Sequence, residues 1–345
     1  MYINQAELLE TRDILRSMAN LADLHRHFDG SVRPGTLWEM SEKYYQAMPD
    51  LSYEQFTDYI TCKSGDNLLA YLDKFNLPLQ YTQFYDTIRR CAYEICEDAY
   101  LDGLHYLEIR INPIIHRRAG LSTRQVIDAV RAGIADVEAN YNDFTANIII
   151  IAIRNHGGNI AKILVKEIAG CSAFIGIKNG VVGFDIAGAE SGYPPILFKE
   201  AYDLARSMGL GLTAHAGEGA GPRYIWQAID DLQVDRVGHG VAAVRDWSLM
   251  KELATRAIPL ETCITSNMDT GSTSEWLGHP VINFIEMGIP IIICTDNPTV
   301  SATSLVREYA VLRKLMTLSE NDLRDIVANS GIYQFRHFRT RGSRS

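Results

Sequence analysis

Eight short apolar runs recur along the chain, and most of them end in polar residues. They are 21–30 ("LADLHRHFDG"), 106–113 ("YLEIRINP"), 147–155 ("NIIIIAIRN"), 181–188 ("VVGFDIAG"), 210–218 ("LGLTAHAGE"), 235–240 ("DRVGHG"), 258–267 ("IPLETCITSN") and 289–298 ("IPIIICTDNP"). Continuous apolar stretches of this length suit parallel strands buried on both faces. Helical patterns lie between them. Ser122 and Gln125 have capping-box spacing ahead of Val126, Val130, Ile134 and Val137, which share one helical face. The stretch 195–209 ends on Gly209, and 319–331 opens with Ser319 and Asp322 and closes on Gly331. Strands and helices in eightfold alternation predict an α/β chain folded as a (β/α)8 (TIM) barrel, with a doubly wound open sheet as the alternative. Residues 34–105 are too many for one crossover. Their helix-like, aromatic-rich pattern predicts a helical insertion after the first strand, either a lid over the barrel mouth or a unit with its own small core. No repeat or linker divides the chain, so 1–345 reads as one domain, with 336–345 a flexible basic tail.

Composition bounds the function more than the fold. The chain has 345 residues, 47% hydrophobic and 22% charged, which is ordinary for a globular protein and long enough for a single large barrel. A net charge of −9 argues against partners such as nucleic acid or an anionic membrane. Arg336, Arg339, Arg341 and Arg344 are a local exception, read as a solvated terminus. The first twenty residues are polar, with acids and no apolar segment of a secretory signal. No apolar run approaches the ~18 residues of a membrane helix. Six cysteines without C-x-x-C spacing read as free thiols in a reducing, cytoplasmic setting.

The polar ends of the runs carry the candidate chemistry. His25 and His27 close the first run, His215 and Glu218 the fifth, His239 the sixth, Glu261 the seventh and Asp296 the eighth. In a barrel these ends meet at one face, where chemistry sits. Side chains alternate along a strand, so His25 and His27 face the same way, ~7 Å apart. Each residue alone is weak evidence: a lone histidine is more often a hydrogen-bonded core residue, and Asp296 alone could cap a helix. Together His25, His27, His215 and Asp296 offer three imidazoles and a carboxylate to one divalent ion, and such an ion removes the cost of a buried charge. Nitrogen and oxygen donors suit zinc or a neighbouring first-row metal. Arg110 reads as a structural partner of Glu108. "GLGLTA" (209–214) mimics a dinucleotide fingerprint but precedes its strand instead of following it.

These residues resemble the adenosine deaminase family of the amidohydrolase superfamily. The likeness is carried by "LHRHFDGSVRP" (24–34), "FDIAGAE" (184–190), "HAGEGAGP" (215–222), "GHG" (238–240), "ETCITSN" (261–267) and "TDNP" (295–298), in order over roughly residues 20–335. The resemblance implies one zinc ion per chain held by His25, His27, His215 and Asp296. It implies that Glu218 protonates purine N1 and that His239 orients the attacking water and takes its proton. Gly188 would donate its N–H to N3, Asp29 would hold the 5′-hydroxyl and Asn297 would face N7. Glu261 would hold the tautomer of His239. The implied reaction is hydrolytic deamination of a small-molecule purine nucleoside, adenosine or 2′-deoxyadenosine, by a protein able to form homo-oligomers. Other family substrates remain open: adenine, a nucleotide, or a conjugate such as aminodeoxyfutalosine. So does an inactive barrel acting as a binding protein. The fourth run has no lysine to bridge a second metal. Well-known members read Asp-Asp where this chain reads Asp296-Asn297; an amide donates to N7 without titrating, whereas an acid must first be protonated.

Overall fold

The computed structural model describes residues 1–18, 20–43, 51–62 and 68–335. Eight parallel strands form one sheet in sequence order: β1 Ala22–His27, β2 Tyr106–Ile111, β3 Thr145–Ile153, β4 Val181–Ala187, β5 Gly211–Ala216, β6 Arg236–His239, β7 Leu260–Thr262 and β8 Ile291–Ile293. Helices alternate with the strands, so the architecture is the (β/α)8 barrel. The ring closes between its first and last strands at a bridge between Arg26 and Asp296. There the His27 N–H donates to the Asp296 carbonyl and the Asp296 N–H to the His25 carbonyl, both at 2.8 Å. The closing bonds therefore fix Asp296 between the two histidines.

The strands are as apolar as a doubly covered sheet requires. Ile148, Ile149 and Ile150 of β3 are fully buried, as are Ile291, Ile292 and Ile293 of β8 to within 1% exposure. Capping chemistry works as the sequence indicates at two helices. Ser122 caps Thr123–Asn140 and Ser319 caps Glu320–Ile332, each with a reciprocal bond from the third residue of the helix. Gly331 does not stop the second of these; it lies inside it. The apolar pattern also overextends two strands. The run 258–267 is strand only over Leu260–Thr262 and then turns into a helix at Ile264–Asp269. The run 289–298 is strand only over Ile291–Ile293.

Between β1 and β2 the chain forms helices at Pro34–Lys43, Tyr53–Ile60, Leu68–Asp73, Asn76–Tyr81 and Tyr85–Leu101. The last of these packs beside Thr123–Asn140 in the helical ring, and Gly133 lets the two backbones approach: a methyl there would lie 2.3 Å from the Arg89 carbonyl. Leu68, Tyr71, Leu72 and Phe75 instead line the pocket at the barrel mouth. The basic tail 336–345 lies outside the described residues. At the other end of the barrel Phe335 fills the floor. Its ring presses on Gly183 and Gly211 and stacks on the Arg236 guanidinium, 3.5 Å from the ring centre. All six cysteines are free and buried. No helix among the described residues is long and apolar enough to cross a membrane.

Candidate functional site

The strand ends bring the predicted residues together. His25 Nε2 lies 3.2 Å from His215 Nε2 and 3.4 Å from Asp296 Oδ1. His27 Nε2 lies 3.1 Å from His215 Nε2 and 3.2 Å from Asp296 Oδ1. Ligand atoms of His25, His215, His239 and Asp296 also lie within 4.8 Å of one another. His25, His215 and Asp296 are at most 5% exposed.

This geometry fits a cation. His25 Nδ1 pairs with Glu261 Oε2 at 2.9 Å, and His215 Nδ1 faces Asp185 Oδ2 at 2.9 Å. A ring that gives its Nδ1 proton to a carboxylate keeps a lone pair on Nε2. The Nε2 atoms of His25 and His215 would then oppose lone pair to lone pair across 3.2 Å, which is repulsive unless both point at one positive ion. Four nitrogen and oxygen ligands held tetrahedrally at about 2.0–2.2 Å stand roughly 3.3–3.6 Å apart, close to the separations found here. Ser266 Oγ donates to Asp296 Oδ2 at 2.6 Å, leaving Oδ1 for the imidazoles. The donor set therefore fits a divalent ion on His25, His27, His215 and Asp296.

A buried ionic ladder under the cluster sets its orientation. Arg110 donates to Asp185 at 2.6 Å and also to Glu261. Arg236 donates to Glu261 at 2.7 Å and to Glu108 at 2.6 Å. All five side chains are fully buried. Buried charges of this kind are tolerated only when paired and hydrogen-bonded. Burial opposes ionisation of Glu261 and Asp185, but the guanidiniums and histidines beside them hold both carboxyls well below the usual range.

Two sequence assignments change here. Glu261 holds His25, not His239. It pairs with Gly238 in the β6–β7 register and points into the barrel below the mouth, between the two arginines. His239 is held instead by Asn267, whose side-chain amide lies 3.0 Å from His239 Nδ1. Arg110 does not pair with Glu108. The two are neighbours on one face of β2, and each reaches across the barrel to another strand.

Glu218 and His239 stand above the cluster, with Glu218 Oε2 3.7 Å from His239 Nε2. Burial, reinforced by the Asp296 and Glu190 charges, pushes the Glu218 carboxyl up to about 8. Burial also raises Asp29 to about 6. His239 and Asp296 both adopt the left-handed backbone, with φ of 61° each, a strained conformation that is uncommon outside glycine. That strain falls on two residues whose side chains the site must aim.

Glu190 is the main residue that the pattern of strand ends missed. It is 1% exposed. Its Oε1 accepts from the Gly217 N–H at 2.8 Å, and its Oε2 from the Gly219 and Ala220 N–H groups at 2.6 and 2.7 Å. These bonds grip the loop on both sides of Glu218. Glu190, Ser266 and Asn267 stand within the "FDIAGAE" and "ETCITSN" stretches, but nothing in their spacing gives their partners.

The pocket above the cluster spans about 830 Å³ including its opening to solvent. It is lined by His27, His215, Glu218, His239 and Asp296 at the ion cluster, and by Asp29, Gly188 and Asn297 around it. Gly188 has φ 95°. Asn297 packs its Oδ1 against Gly30, where a methyl group would approach that oxygen to 1.8 Å. This oxygen is buried without a partner, so the planar amide turns its NH2 group away from Gly30.

A family model described as adenosine deaminase matches residues 20–338. An adenosine deaminase of Shigella boydii serotype 18 is 36% identical over 316 residues, spanning 90% of this chain and 91% of that protein. Among solved structures, an adenine deaminase from Arthrobacter aurescens superposes with a TM-score of 0.84 at 22% identity, covering 91% of this chain and 93% of that one. An Arabidopsis N6-mAMP deaminase superposes with a TM-score of 0.80 at 28% identity, covering 94% and 95%.

Proposed function

The chain belongs to the adenosine deaminase family and is a hydrolytic deaminase of that metal-dependent family, and we propose that its substrates are adenosine and 2′-deoxyadenosine, with one zinc ion per chain. The observation that carries this reading is the joint placement of the His25–His27–His215–Asp296 cluster and the Glu218–His239 pair on one pocket.

A divalent ion held by the cluster would lower the pKa of a bound water and neutralise the Asp296 charge. Glu218, its carboxyl raised by burial, is suited to give a proton to purine N1. Addition at C6 then moves the C6–N1 electron pair onto the protonated N1 and gives a neutral adduct instead of a ring anion. His239 is suited to take the proton of the attacking water when the Asn267 amide turns its oxygen to Nδ1, which places the ring hydrogen there and leaves the Nε2 lone pair toward Glu218 and the pocket. Return of a proton to the 6-amino group releases ammonia and leaves the 6-oxo purine. The Gly188 N–H would meet N3, the Asn297 amide N7, and Asp29 the 5′-hydroxyl. Glu190 keeps the Glu218 loop in place.

The lining favours a nucleoside over a nucleotide. Among its described residues there is no lysine or arginine, while Asp29 presents a carboxyl. A 5′-phosphate would bring about two further negative charges toward that carboxyl with no cation among the described lining residues to meet them. A panel of adenosine, 2′-deoxyadenosine, adenine, AMP and N6-methyl-AMP, followed by ultraviolet difference spectra and ammonia release, tests the choice. The two nucleosides are expected to have the highest kcat/KM. Preferential turnover of a nucleotide or of the free base would overturn it.

A further inference from the structure

We propose that Asn112 is a specificity residue that donates a hydrogen bond to a pentose oxygen of the substrate, which rests on the nucleoside reading above. Asn112 follows β2 and is 3% exposed. Its Oδ1 accepts from the Ile114 N–H at 2.8 Å, where the chain enters the short helical turn Pro113–His116. A backbone N–H can only donate, so the atom facing it is the amide oxygen and the NH2 group is turned away. That nitrogen is buried and has no hydrogen-bond partner. The residue lines the same pocket as Glu218, His239 and Gly188. Buried donors are nearly always satisfied, and a ligand acceptor would satisfy this one.

The place of Asn112 in the ring says which acceptor. The ion cluster and the Glu218–His239 pair come from β1, β5, β6 and β8, and Gly188 follows β4. Of the remaining strand ends, β7 leads to Thr270 beside the ion cluster, and those of β2 and β3 form the sector next to β1 and Asp29, where Ile115, Ile151 and Ile153 give an apolar wall. Purine N1, N3 and N7 are already matched to Glu218, Gly188 and Asn297. The acceptors of adenosine that remain are the oxygens of its sugar. A base seated over the cluster carries its N9 substituent toward the β1–β3 rim, where the Asn112 donor waits.

The test crosses two variants with four substrates. Asn112→Leu removes the donor at similar volume. Asn112→Asp also removes it but keeps an oxygen for the Ile114 N–H, so it guards against simple loss of the turn. Each is assayed on adenosine and on its 2′-deoxy, 3′-deoxy and carbocyclic analogues, the last lacking the ring oxygen, with metal content measured alongside. Both variants are expected to lose about tenfold in kcat/KM on adenosine, mainly through KM, because the contact exists before the transition state. On one analogue, the one lacking the partner oxygen, wild type and variants should converge. Equal losses on all four substrates, or no loss on adenosine, would overturn the proposal. If wild type turns over AMP or adenine and no nucleoside, the nucleoside reading fails, and the proposal with it, on the wild-type data alone. A variant defect alone leaves that reading intact.

Discussion

Replacing Glu190 by glutamine tests whether the loop carrying Glu218 is set by one buried carboxylate. That carboxylate accepts three backbone N–H groups at 2.8, 2.6 and 2.7 Å. Hydrogen bonds to a charged acceptor contribute about 1.5–3 kcal/mol each. The best placement for the glutamine oxygen is that of Oε2, which keeps Gly219 and Ala220. Its NH2 group then opposes the Gly217 N–H, so one bond is lost and two donors face each other. The loss of about 1.5–3 kcal/mol corresponds to about 10–150-fold. Glu218 lies between Gly217 and Gly219, so the displacement falls on the proposed proton donor and not on the proposed ion ligands. Initial rates of adenosine deamination, with metal analysis on the same sample, are expected to show kcat reduced about 10–100-fold, KM within about threefold and metal content unchanged. A wild-type kcat, or loss of the metal with the activity, would refute the positioning role.

Glu218→Gln should abolish turnover yet stabilise the metal-free protein. The folded carboxyl is raised from its ordinary 4.5 to about 8, so stability falls as pH rises through that window and the penalty is complete above it. Melting temperatures at about pH 5.5 and about pH 8.5 should therefore favour the variant more at the higher value; an equal difference at both would contradict the burial argument. Gly30→Ala drives a methyl group to 1.8 Å from Asn297 Oδ1, against an ordinary contact of about 3.3 Å. About 1.5 Å of displacement at Asn297 should cost on the order of 100-fold in kcat/KM, while unchanged kinetics would show that Asn297 does not touch the substrate. Phe335→Ala empties the barrel floor far from the pocket. Denaturant unfolding should show a loss of about 3–5 kcal/mol with kcat/KM little changed, and a stability within 1 kcal/mol of wild type would contradict the plug.

The barrel and the cluster of histidines and Asp296 at its mouth were legible because each leaves a local mark. Eight apolar runs signal the strands, and His25, His27, His215 and Asp296 stand where such runs turn polar. What failed depends on partners distant in sequence. Glu261 is 236 residues from His25, and only the register of the closed barrel decides that it faces His25 and two arginines and not His239. Asn267 and Ser266 sit in a run that reads as strand, yet the chain turns helical at Ile264 and so presents them to His239 and Asp296. Glu190 has no periodic signature, since it acts on loop amides that exist only once the turn after β5 has formed. The Asn112 donor is visible only in the fold, which commits the other end of the amide to Ile114.

The most direct measurement follows adenosine and ammonia in one reaction, using protein stripped with a chelator and then titrated with zinc. Activity is expected to be absent from the stripped protein and to rise linearly to a plateau at one zinc per chain, with one ammonia released for each 6-oxo nucleoside formed. Turnover that survives complete removal of metal, or a reconstituted protein that leaves adenosine untouched, would contradict an ion-dependent nucleoside deaminase.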